Sequence, residues 1–553
     1  MFDIIDPKTL NECFTVELLA KFLNTDYPNL SKLIYGKKSP YRTFYIPKKS
    51  GGTREIKAPI KTLKLIQQKL KVEFEDYSSP RVASHGFVKG RSILTNAKLH
   101  INRNYVLNVD LESFFNSINF GRIKKLFEST PFKFTSPVAT VLAQICCHEN
   151  SLPQGAPTSP ILSNMIAFKL DGELMRLAKK INFRYTRYVD DLTISCQSLA
   201  QLEKHKIIYR SKEAKYEAGF TLSRLIEKNG FKINNEKTRL QQRTEHQGVT
   251  GLTVNVKLNV SRTFIRQTSS MINALIIHGA EKSEHEHFTK YFDGYVPNRQ
   301  QQRISKKPGD LFIKKVKGRV NYIKMIRGAA CPVYRKLAYQ LTCGLGCPNE
   351  DYNKDWLDWI SDSVLVLDNN LDILQGTAFY ADGLGIVTNQ HNLESITEDN
   401  IAGNITLVEP LNYSKKYQLL GLNKTSEKYD IALIDFGVHA KSKRALEIAD
   451  SPLYKTGTTV YAIGYPNHSE GTKPTILECK IVNKTKWQGE CRYKIDQNIH
   501  HGFSGGPVID TDGKVIGIVS NGNAVGASKS TEDMFIPVET VMKFANDAKP
   551  EDC

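Results

Sequence analysis

Hydrophobic and polar positions follow different patterns in two parts of the 553-residue chain. In the first part, apolar residues at helical spacing alternate with short apolar strands. One predicted helix covers residues 63–77, with apolar residues on one face at Leu63, Ile66, Leu70 and Phe74. From residue 361 onward, short β runs with frequent turns are typical of a β-barrel. The pattern therefore predicts separate folded domains with different architectures.

A hairpin is predicted around Val189-Asp190-Asp191, where two apolar, β-rich runs within residues 183–196 meet. Two adjacent carboxylates at a hairpin tip repel each other unless a cation neutralises them. A buried-looking strand over residues 105–110 ends in Asp110 and supplies a third carboxylate. Because Mg²⁺ prefers oxygen ligands, these three acids predict a magnesium site.

Charge is distributed unevenly along the chain. Residues 351–553 hold 19 Lys and Arg against 28 Asp and Glu, a net charge of −9, whereas the first 350 residues hold 57 against 29, a net charge of +28. A basic surface of this size is typical of proteins that bind nucleic acid. The two parts of the chain are therefore expected to have different partners.

Composition also constrains the setting of the protein. The N-terminus lacks a basic region followed by an apolar core, and no run reaches the 18 apolar residues of a membrane span. The ten cysteines lack the spacing of a disulfide scaffold, which favours a reducing, cytoplasmic location without a membrane partner. Cys331, Cys343 and Cys347 lack a fourth ligand for zinc, and we interpret them as ordinary thiols.

Two further segments carry chemistry around the predicted carboxylates. A hairpin over residues 45–59 brings Lys48, Lys49 and Arg54 onto one surface, where they can bind a triphosphate; a solvated basic hairpin is the alternative. Residues 152–160, Leu-Pro-Gln-Gly-Ala-Pro-Thr-Ser-Pro, form a loop that opens a helix over 161–177, with Thr158 or Ser159 as its cap.

Together these motifs resemble the palm of a reverse transcriptase, whose Tyr-x-Asp-Asp signature matches residues 188–191. The resemblance implies that Asp110, Asp190 and Asp191 bind two Mg²⁺ ions. It also implies deoxynucleoside triphosphates as substrates, with Phe115 as a steric gate against the ribose 2′-hydroxyl; either Phe114 or Phe115 is alternatively a core residue. The residues implied to contact the nucleotide are Lys48, Arg54, Phe115, Gln154 and, as proton donor to pyrophosphate, Lys237.

Two shorter elements resemble the retron subgroup of bacterial reverse transcriptases. They are Asn96-Ala-Lys-Leu-His100 and Val249-Thr250-Gly251; a helix N-terminus and a β-turn between strands are the simpler interpretations. The resemblance implies that Asn96, His100, Val249, Thr250 and Gly251 recognise a cognate structured non-coding RNA. It implies priming from an internal 2′-hydroxyl and a branched, RNA-linked single-stranded DNA product. Helical basic regions over 261–278 and 314–339 resemble the thumb, which would follow the backbone of a duplex. Their basic residues include Lys315, Lys317, Arg319, Lys324, Arg327, Arg335 and Lys336.

The C-terminal part contains a histidine, an aspartate and a serine in the order typical of one protease class. His391 follows a predicted hairpin, Asp430 begins a strand, and Ser504 lies in Gly502-Phe-Ser-Gly-Gly-Pro-Val508. The serine needs a base, and the aspartate can fix the imidazole tautomer. The segment resembles a trypsin-like serine protease, which needs no cofactor. That resemblance implies an oxyanion hole from the amides of Gly502 and Ser504, and a specificity pocket at Asn498, Ser520 and Gly522.

The predicted fold is a multidomain chain: an α+β right-hand polymerase with fingers, palm and helical thumb, followed by an all-β chymotrypsin-like double barrel. Fingers and palm are assigned to 1–245, thumb and RNA recognition to 246–345, a linker to 346–360 and the protease to 361–553. The predicted function is a retron RNA-directed DNA polymerase fused to a serine endopeptidase, with an unknown protein substrate, that serves as an anti-phage effector. Three alternatives stay open: a non-retron, group II intron-like reverse transcriptase; an RNA-binding scaffold that controls the protease without DNA synthesis; and a peptide-binding module in place of the protease.

Overall fold

The computed structural model divides the chain into two compact units, residues 1–259 and 260–553. The structure describes residues 7–47, 52–211, 215–291, 307–397, 399–409, 412–418, 421–435, 444–450, 452, 454–466, 468–469, 471–521 and 533–547.

The first unit packs helices around a four-stranded antiparallel sheet, in the order β4-β5-β3-β8. Its strands are β1 Tyr41–Pro47, β2 Thr53–Pro59, β3 Tyr105–Leu111, β4 Arg184–Tyr188, β5 Asp191–Cys196, β6 Ile208–Arg210, β7 Tyr216–Ala218, β8 Ile233–Gln242, β9 Gly248–Val249 and β10 Leu252–Thr253. Its helices are α1 Val16–Phe22, α2 Tyr27–Tyr35, α3 Lys61–Asp76, α4 Ile93–Lys98, α5 Phe120–Glu128, α6 Ser136–Cys146, α7 Ser159–Ile181, α8 Leu199–Lys204 and α9 Phe220–Lys228.

The sequence pattern explains the main elements of this unit. The hairpin predicted over 183–196 is confirmed as β4 and β5, and the hairpin predicted over 45–59 as β1 and β2. The apolar face of α3 is buried, as its spacing predicts. The predicted cap of α7 is wrong, because neither Thr158 nor Ser159 binds the first amides of the helix; the Ser159 hydroxyl instead donates to the Pro153 carbonyl at 2.8 Å.

The second unit begins with helices α10 Arg262–Tyr291, α11 Asp310–Arg327 and α12 Pro332–Gly344. Helix α10 is interrupted at Gly279, whose φ of +75° is not helical. The basic helical region predicted over 314–339 is two helices, separated at residues 328–331. A further helix, α13 Trp356–Ser361, lies partly in the predicted linker and packs its Trp359 and Ile360 into a hydrophobic core that also includes strand residues. The predicted domain boundaries remain predictions.

The rest of this unit is antiparallel β structure. Seven strands form one sheet, in the order β15-β14-β11-β12-β13-β17-β16, and six form a closed barrel, β18-β19-β20-β23-β22-β21. They are β11 Val364–Asn369, β12 Leu374–Ala381, β13 Gly385–Thr388, β14 Ile405–Glu409, β15 Asn412–Gln418, β16 Gly421–Ser426, β17 Ile431–Asp435, β18 Thr459–Gly464, β19 Thr475–Trp487, β20 Glu490–Ile495, β21 Pro507–Ile509, β22 Val515–Asn521 and β23 Asp533–Pro537. Helices α14 Ile401–Asn404 and α15 Val538–Asn546 complete the unit.

Candidate active sites

The three predicted metal-binding carboxylates lie at one end of the four-stranded sheet. Asp110 on β3 is paired with Asp191 on β5. Asp190 lies in the two-residue turn before Asp191, and its carbonyl oxygen accepts a hydrogen bond of 3.0 Å from the Leu111 amide. The fold therefore brings together all three residues that the sequence singled out.

The turn that carries Asp190 has an uncommon backbone conformation. Val189 has a φ of +62°, which a β-branched residue rarely adopts. A Cβ atom on Gly86 would lie 2.7 Å from both the backbone nitrogen and the Cγ2 atom of Val189. A glycine at position 86 therefore allows its loop to pack directly against the turn.

A buried ion pair that the sequence analysis missed supports the same turn. Arg187 donates to the two carboxylate oxygens of Asp171, from Nε at 2.8 Å and from Nη2 at 2.7 Å. Its Nη1 donates to the Val189 carbonyl at 3.1 Å. The two paired side chains are 0% and 1% exposed. Asp171 lies on the apolar face of α7, and this position is the signal that could have predicted a buried pair, because charged residues are rarely buried without partners.

The carboxylates retain more negative charge than their neighbours neutralise. Burial, followed by the charge of Asp110, raises the pKa of Asp190, and burial, followed by the charges of Asp190 and Asp110, raises the pKa of Asp191 to about 6. The Lys237 ammonium lies 3.1 Å from each carboxylate oxygen of Asp110. The nearest cation thus binds one acid and leaves the other two to repel each other.

This donor set fits a divalent cation. It consists of three oxygen ligands whose mutual repulsion a bound ion would remove. Over the described ranges, no three His, Cys, Asp or Glu side chains are already grouped around a common metal position. At Asp110, the Lys237 ammonium already supplies one positive charge.

An open cleft of about 1150 Å³ lies over the carboxylates. Four of the predicted nucleotide-binding residues line it, namely Arg54, Phe115, Gln154 and Lys237. The fifth, Lys48, lies outside the described residues, as does Lys49. Phe114 is buried and stacks on Phe231, with ring centroids 5.4 Å apart, so Phe114 is the core residue and Phe115 faces the cleft.

Backbone contacts fix the loop that carries Gln154 to the β1–β2 hairpin. The Lys57 amide donates to the Gln154 carbonyl at 2.9 Å. Gly155 has a φ of +127°, and a Cβ atom there would lie 2.9 Å from the Lys57 carbonyl oxygen. Glycine is required at position 155 for both reasons. Residues of the loop and of the hairpin therefore form one wall of the cleft.

The prediction that Asn96 and His100 contact RNA is wrong for this structure, because both residues are 0% exposed. The ring nitrogens of His100 lie 2.7 Å from the hydroxyls of Ser195 and Thr186, which belong to strands of the four-stranded sheet. Burial, followed by the charge of Arg184, lowers the pKa of His100 to about 3. A neutral histidine thus connects the end of α4 to the sheet.

The second retron-like element is the turn between β9 and β10. Val249 is fully buried, so its predicted contact with RNA is also wrong. Thr250 and Gly251 have φ values of +47° and +83°, as expected for the two central residues of a tight hairpin turn. The Thr250 hydroxyl lies 3.5 Å from the Ile93 carbonyl at the start of α4. The turn therefore packs against the start of α4, and of the five residues predicted to recognise RNA, Thr250 and Gly251 reach the surface.

The predicted catalytic histidine and aspartate of the C-terminal domain are in direct contact. His391 Nδ1 lies 2.9 Å from Oδ1 of Asp430, and the His391 amide donates to the same oxygen at 3.2 Å. Because a carboxylate only accepts, Nδ1 carries the ring proton and Nε2 remains available as a base. The Asn389 side chain donates to the Asp430 carbonyl at 2.9 Å, which holds the aspartate backbone at its φ of +57°.

The Ser504 loop is held by residues of the preceding sheet. The Ser504 carbonyl accepts from the Thr377 amide at 2.9 Å and from the Asn392 side chain at 3.1 Å. The Thr377 hydroxyl also donates to the Gly502 carbonyl at 2.5 Å. A Cβ atom on Gly505, whose φ is +86°, would lie 2.1 Å from the Thr377 carbonyl oxygen. These partners, Thr377 and Asn392, had no recognisable signal in the sequence.

The loop is arranged so that two amides remain unused. The Phe503 amide closes a turn onto the His500 carbonyl at 3.2 Å, with Gly502 at its third position and a φ of +95°. That is the position at which a type II turn requires glycine. Among the described residues, no acceptor binds the amides of Gly502 and Ser504. Both are thus free to stabilise an oxyanion.

The structure changes the prediction for the specificity pocket. The Ser520 hydroxyl donates to Oδ2 of Asp430 at 2.9 Å, so its side chain supports the aspartate instead of contacting a substrate side chain. Asn498 is exposed, and Gly522 lies outside the described residues.

The three cysteines considered for a zinc site differ in exposure. Cys331 is buried, whereas Cys343 and Cys347 are exposed. Throughout the described ranges, none of the three joins a group of metal-ligating side chains. Nor does any helix in these ranges have the length and apolar character needed to cross a lipid bilayer.

Family comparisons match both halves of the chain. Residues 46–256 match the family described as reverse transcriptase (RNA-dependent DNA polymerase), and residues 376–518 match the trypsin-like peptidase domain. Both enzyme domains that the motifs indicated are thus present. Reverse transcriptases generally use divalent metal ions, which agrees with the donor set described above.

Individual relatives of the first domain are retron reverse transcriptases. The chain is 35% identical to the retron Mx65 reverse transcriptase of Myxococcus xanthus, over 46% of this chain and 60% of that protein. It is 33% identical to the retron Ec86 reverse transcriptase of Escherichia coli, over 48% of this chain and 80% of that protein. A serine endoprotease from Yersinia pestis shares 22% identity, over 33% of this chain and 61% of that one, with a TM-score of 0.27.

Proposed function

We propose that this chain, which belongs to the retron reverse transcriptase family, copies a cognate structured non-coding RNA into single-stranded DNA. The observation that carries the proposal is the cleft that Asp110, Asp190 and Asp191 line together with Arg54 and Gln154. Family resemblance supports the finer points: priming from an internal 2′-hydroxyl of the RNA, a branched RNA-linked DNA product and a cytoplasmic location.

Each residue of the cleft has a distinct part in the proposed reaction. Two Mg²⁺ ions held by Asp110, Asp190 and Asp191 would stabilise the charge that develops on the attacking and leaving oxygens. Arg54 binds the triphosphate of the incoming deoxynucleotide, and Phe115 excludes a ribose 2′-hydroxyl by its bulk. Lys237, once released from Asp110, is positioned to donate a proton to the leaving pyrophosphate.

The polymerase proposal is tested on nucleic acid that copurifies with the protein. The full chain is expressed with its flanking locus and compared with Asp190→Asn plus Asp191→Asn. A discrete DNA that requires both aspartates, and that shortens without vanishing on RNase treatment, is the expected result. Glu203→Gln plus Glu227→Gln changes two exposed acids of the same unit and serves as the matched control.

RNA without DNA in both the wild type and the double aspartate variant would contradict DNA synthesis. That result would favour the alternative in which the first unit is an RNA-binding scaffold and only the protease turns over. Incorporation of labelled deoxynucleotides on a generic primed RNA distinguishes a scaffold from an enzyme that has lost its own template.

For the C-terminal domain we propose serine endopeptidase activity against a protein substrate. In this mechanism Ser504 Oγ attacks the scissile carbonyl carbon, and its proton passes to Nε2 of His391. The amides of Gly502 and Ser504 stabilise the oxyanion that forms, and the imidazolium then gives its proton to the leaving amine. The support for this mechanism is the bond from His391 to Asp430 together with the two unused amides.

We further propose that the protease is the effector of an anti-phage system, inhibited by the RNA–DNA complex and released when phage disturbs that complex. The support is the fusion of both enzymes in one chain. Phage plaque counts on cells carrying Ser504→Ala are expected to match those on cells without the system, whereas the exposed control Ser469→Ala protects fully. Full protection by Ser504→Ala would disprove the effector role, and a fluorophosphonate that failed to label Ser504 would favour a peptide-binding module.

A further inference from the structure

The segment between α11 and α12 packs into the protease core. Ala330, in the corner formed by residues 328–331, is buried in the same hydrophobic cluster as Ile509 of β21 and Val515 of β22. The cluster also contains Trp359 and Ile360 of α13. Residues that the sequence assigned to a polymerase thumb are therefore part of the hydrophobic core beneath the protease strands.

Polar contacts fix this corner to two protease segments. Arg327 Nη2 donates to Oδ1 of Asp512 at 2.8 Å, and these side chains are 12% and 7% exposed. The Ala329 amide donates to Oε1 of Glu447 at 2.9 Å, while Oε2 of Glu447 lies 3.5 Å from the Lys514 ammonium. Breaking one partner of such a buried pair leaves an uncompensated charge, which is strongly unfavourable.

Two glycines show how closely the surfaces approach. Gly328 and Gly513 have φ values of +91° and +77°. A Cβ atom on Gly328 would lie 2.7 Å from Oε2 of Glu447, and one on Gly513 would lie 2.5 Å from the Ala330 Cβ atom. No side chain fits between the corner and the turn formed by residues 510–514, so a shift of either segment displaces the other.

The turn that receives Arg327 belongs to the hairpin that carries the catalytic serine. Residues 510–514 connect β21 to β22, and the Asp510 side chain accepts from the amides of Asp512 and Lys514 at 2.8 and 3.0 Å. At the other end of the hairpin, β21 follows the Ser504 loop and β22 leads to Ser520, whose hydroxyl binds Asp430. One end of a short, rigid hairpin thus contacts the corner, and the other end contacts the triad.

We propose that Arg327 is a positioning residue of the protease: through Asp512 it fixes the β21–β22 hairpin, and through the hairpin it aligns Ser504 and Ser520 with His391 and Asp430. This inference rests on the proposed protease activity and is independent of DNA synthesis. In consequence the protease domain requires α11 and α12, and a chain that begins at residue 361 lacks part of its own support.

The same helices expose lysines that can bind phosphate, so a nucleic acid bound to them would act on the Arg327–Asp512 contact. Lys317, Lys324 and Lys336 are exposed on α11 and α12, and a cavity of about 330 Å³ lies beside the corner. A nucleic acid that shifted these helices would move Arg327 and, with it, the hairpin. By linkage, if bound nucleic acid shifts the equilibrium between the aligned and the misaligned triad by some factor, alignment of the triad changes the affinity for nucleic acid by the same factor.

A charge-reversal cycle in the full chain tests the proposal. A fluorophosphonate probe reports the triad directly, because Ser504 Oγ forms a bond to phosphorus, fluoride leaves and the hydroxyl proton passes to His391. The maximal labelling rate of Arg327→Glu and of Asp512→Arg is expected to fall at least about tenfold each, with half-saturating probe concentration unchanged. The combined variant, which restores the pair in reverse, is expected to return to within about threefold of the wild type.

Three controls keep the outcomes separate. The final labelled fraction counts folded sites, so a variant that merely unfolds loses amplitude and not rate. Lys473→Glu breaks the exposed ion pair with Asp358, which also joins α13 to the protease, and is expected to label at the wild-type rate. Deoxynucleotide incorporation measured on the same samples reports the polymerase independently.

Single variants that label as fast as the wild type would overturn the proposal. So would a double variant whose loss equals the product of the two single losses, because the charges would then act separately. Wild-type labelling no faster than that of Ser504→Ala would overturn it together with the proposed protease, whereas lost incorporation with normal labelling would count only against the polymerase.

Discussion

The two candidate active sites differ in how far protein groups satisfy their buried carboxylates. At the polymerase site the Lys237 ammonium contacts one of three carboxylates, that of Asp110, and burial and the charges of neighbouring carboxylates raise the pKa values of Asp190 and Asp191. At the protease site a single carboxylate, that of Asp430, accepts hydrogen bonds on both oxygens, from His391 and Ser520. At the first site the nearby cations, Lys237 and Arg54, do not offset burial and repulsion, whereas at the second site protein donors satisfy both oxygens of the carboxylate.

This difference indicates what each site needs before it can work. Carboxylates that repel each other in an open cleft need a cation, so the polymerase site is completed from solution. A histidine whose Nδ1 is already bound to a carboxylate needs only its serine, so the protease site depends on alignment. Removal of the cation should therefore affect the polymerase site alone. A substitution that disturbs the hydrogen bonds of the triad should affect the protease site alone.

Chelation of divalent metal is expected to give the largest contrast. EDTA in excess over Mg²⁺ should reduce labelled deoxynucleotide incorporation to background, because three uncompensated carboxylates cannot bind a triphosphate. Fluorophosphonate labelling of Ser504 in the same sample should be unchanged. Readdition of Mg²⁺ should restore incorporation, and a parallel loss of labelling in EDTA would contradict the distinction between the two sites.

Asp430→Asn is expected to have a large effect on the protease alone. An amide can donate to His391 Nδ1 and so favours the tautomer that is protonated at Nε2, which cannot accept the Ser504 proton. In a serine protease this exchange lowers the rate by about 10⁴-fold. Probe labelling measures the loss, with Asp435→Asn, a change five residues further along the chain, as control. A decrease below tenfold would mean that Asp430 does not set the tautomer.

Arg187→Met tests the support of the polymerase turn. Removing one partner of the buried Arg187–Asp171 pair should cost about 3–5 kcal/mol of unfolding free energy, measured by urea denaturation. Arg187→Met with Asp171→Leu should recover most of this stability, because no unpaired charge remains. Incorporation should stay low in the double variant, since the Val189 carbonyl still lacks its donor. Full recovery of incorporation would show that Arg187 contributes stability and nothing to the turn.

Residues with local determinants were predictable from the sequence. Asp110, Asp190 and Asp191 each lie at a strand end or a tight turn, which short apolar runs indicate. His391, Asp430 and Ser504 were found from their local sequences and chain order. The supporting residues were not, because burial depends on which elements pack together. Asn96 and His100 illustrate this limit, since nothing local distinguishes an exposed polar helix end from a buried one.

Basic residues of the thumb-like helices show the same limit in another form. Their number predicted a surface that follows a nucleic-acid backbone, and exposed lysines such as Lys317 agree with it. Three arginines instead make contacts within the protein. Arg319 donates to Thr268, Arg335 to backbone carbonyls and Arg327 to Asp512. Arginine can bury its stem and still pair its head group, so composition alone does not separate a binding surface from an internal contact.

Ser520→Ala is expected to have the smallest effect, and it distinguishes alignment from charge within the protease. The substitution removes the donor to Oδ2 of Asp430 and keeps both His391 contacts to Oδ1. A hydrogen bond to a charged group is worth about 1.5–3 kcal/mol, but the partly exposed histidine allows some of this to be regained, so we expect a loss of about tenfold in labelling rate. Ser520→Thr keeps the hydroxyl and should retain more activity than alanine does. If alanine and threonine lowered the rate equally, bulk at position 520 and not the bond to Asp430 would be responsible.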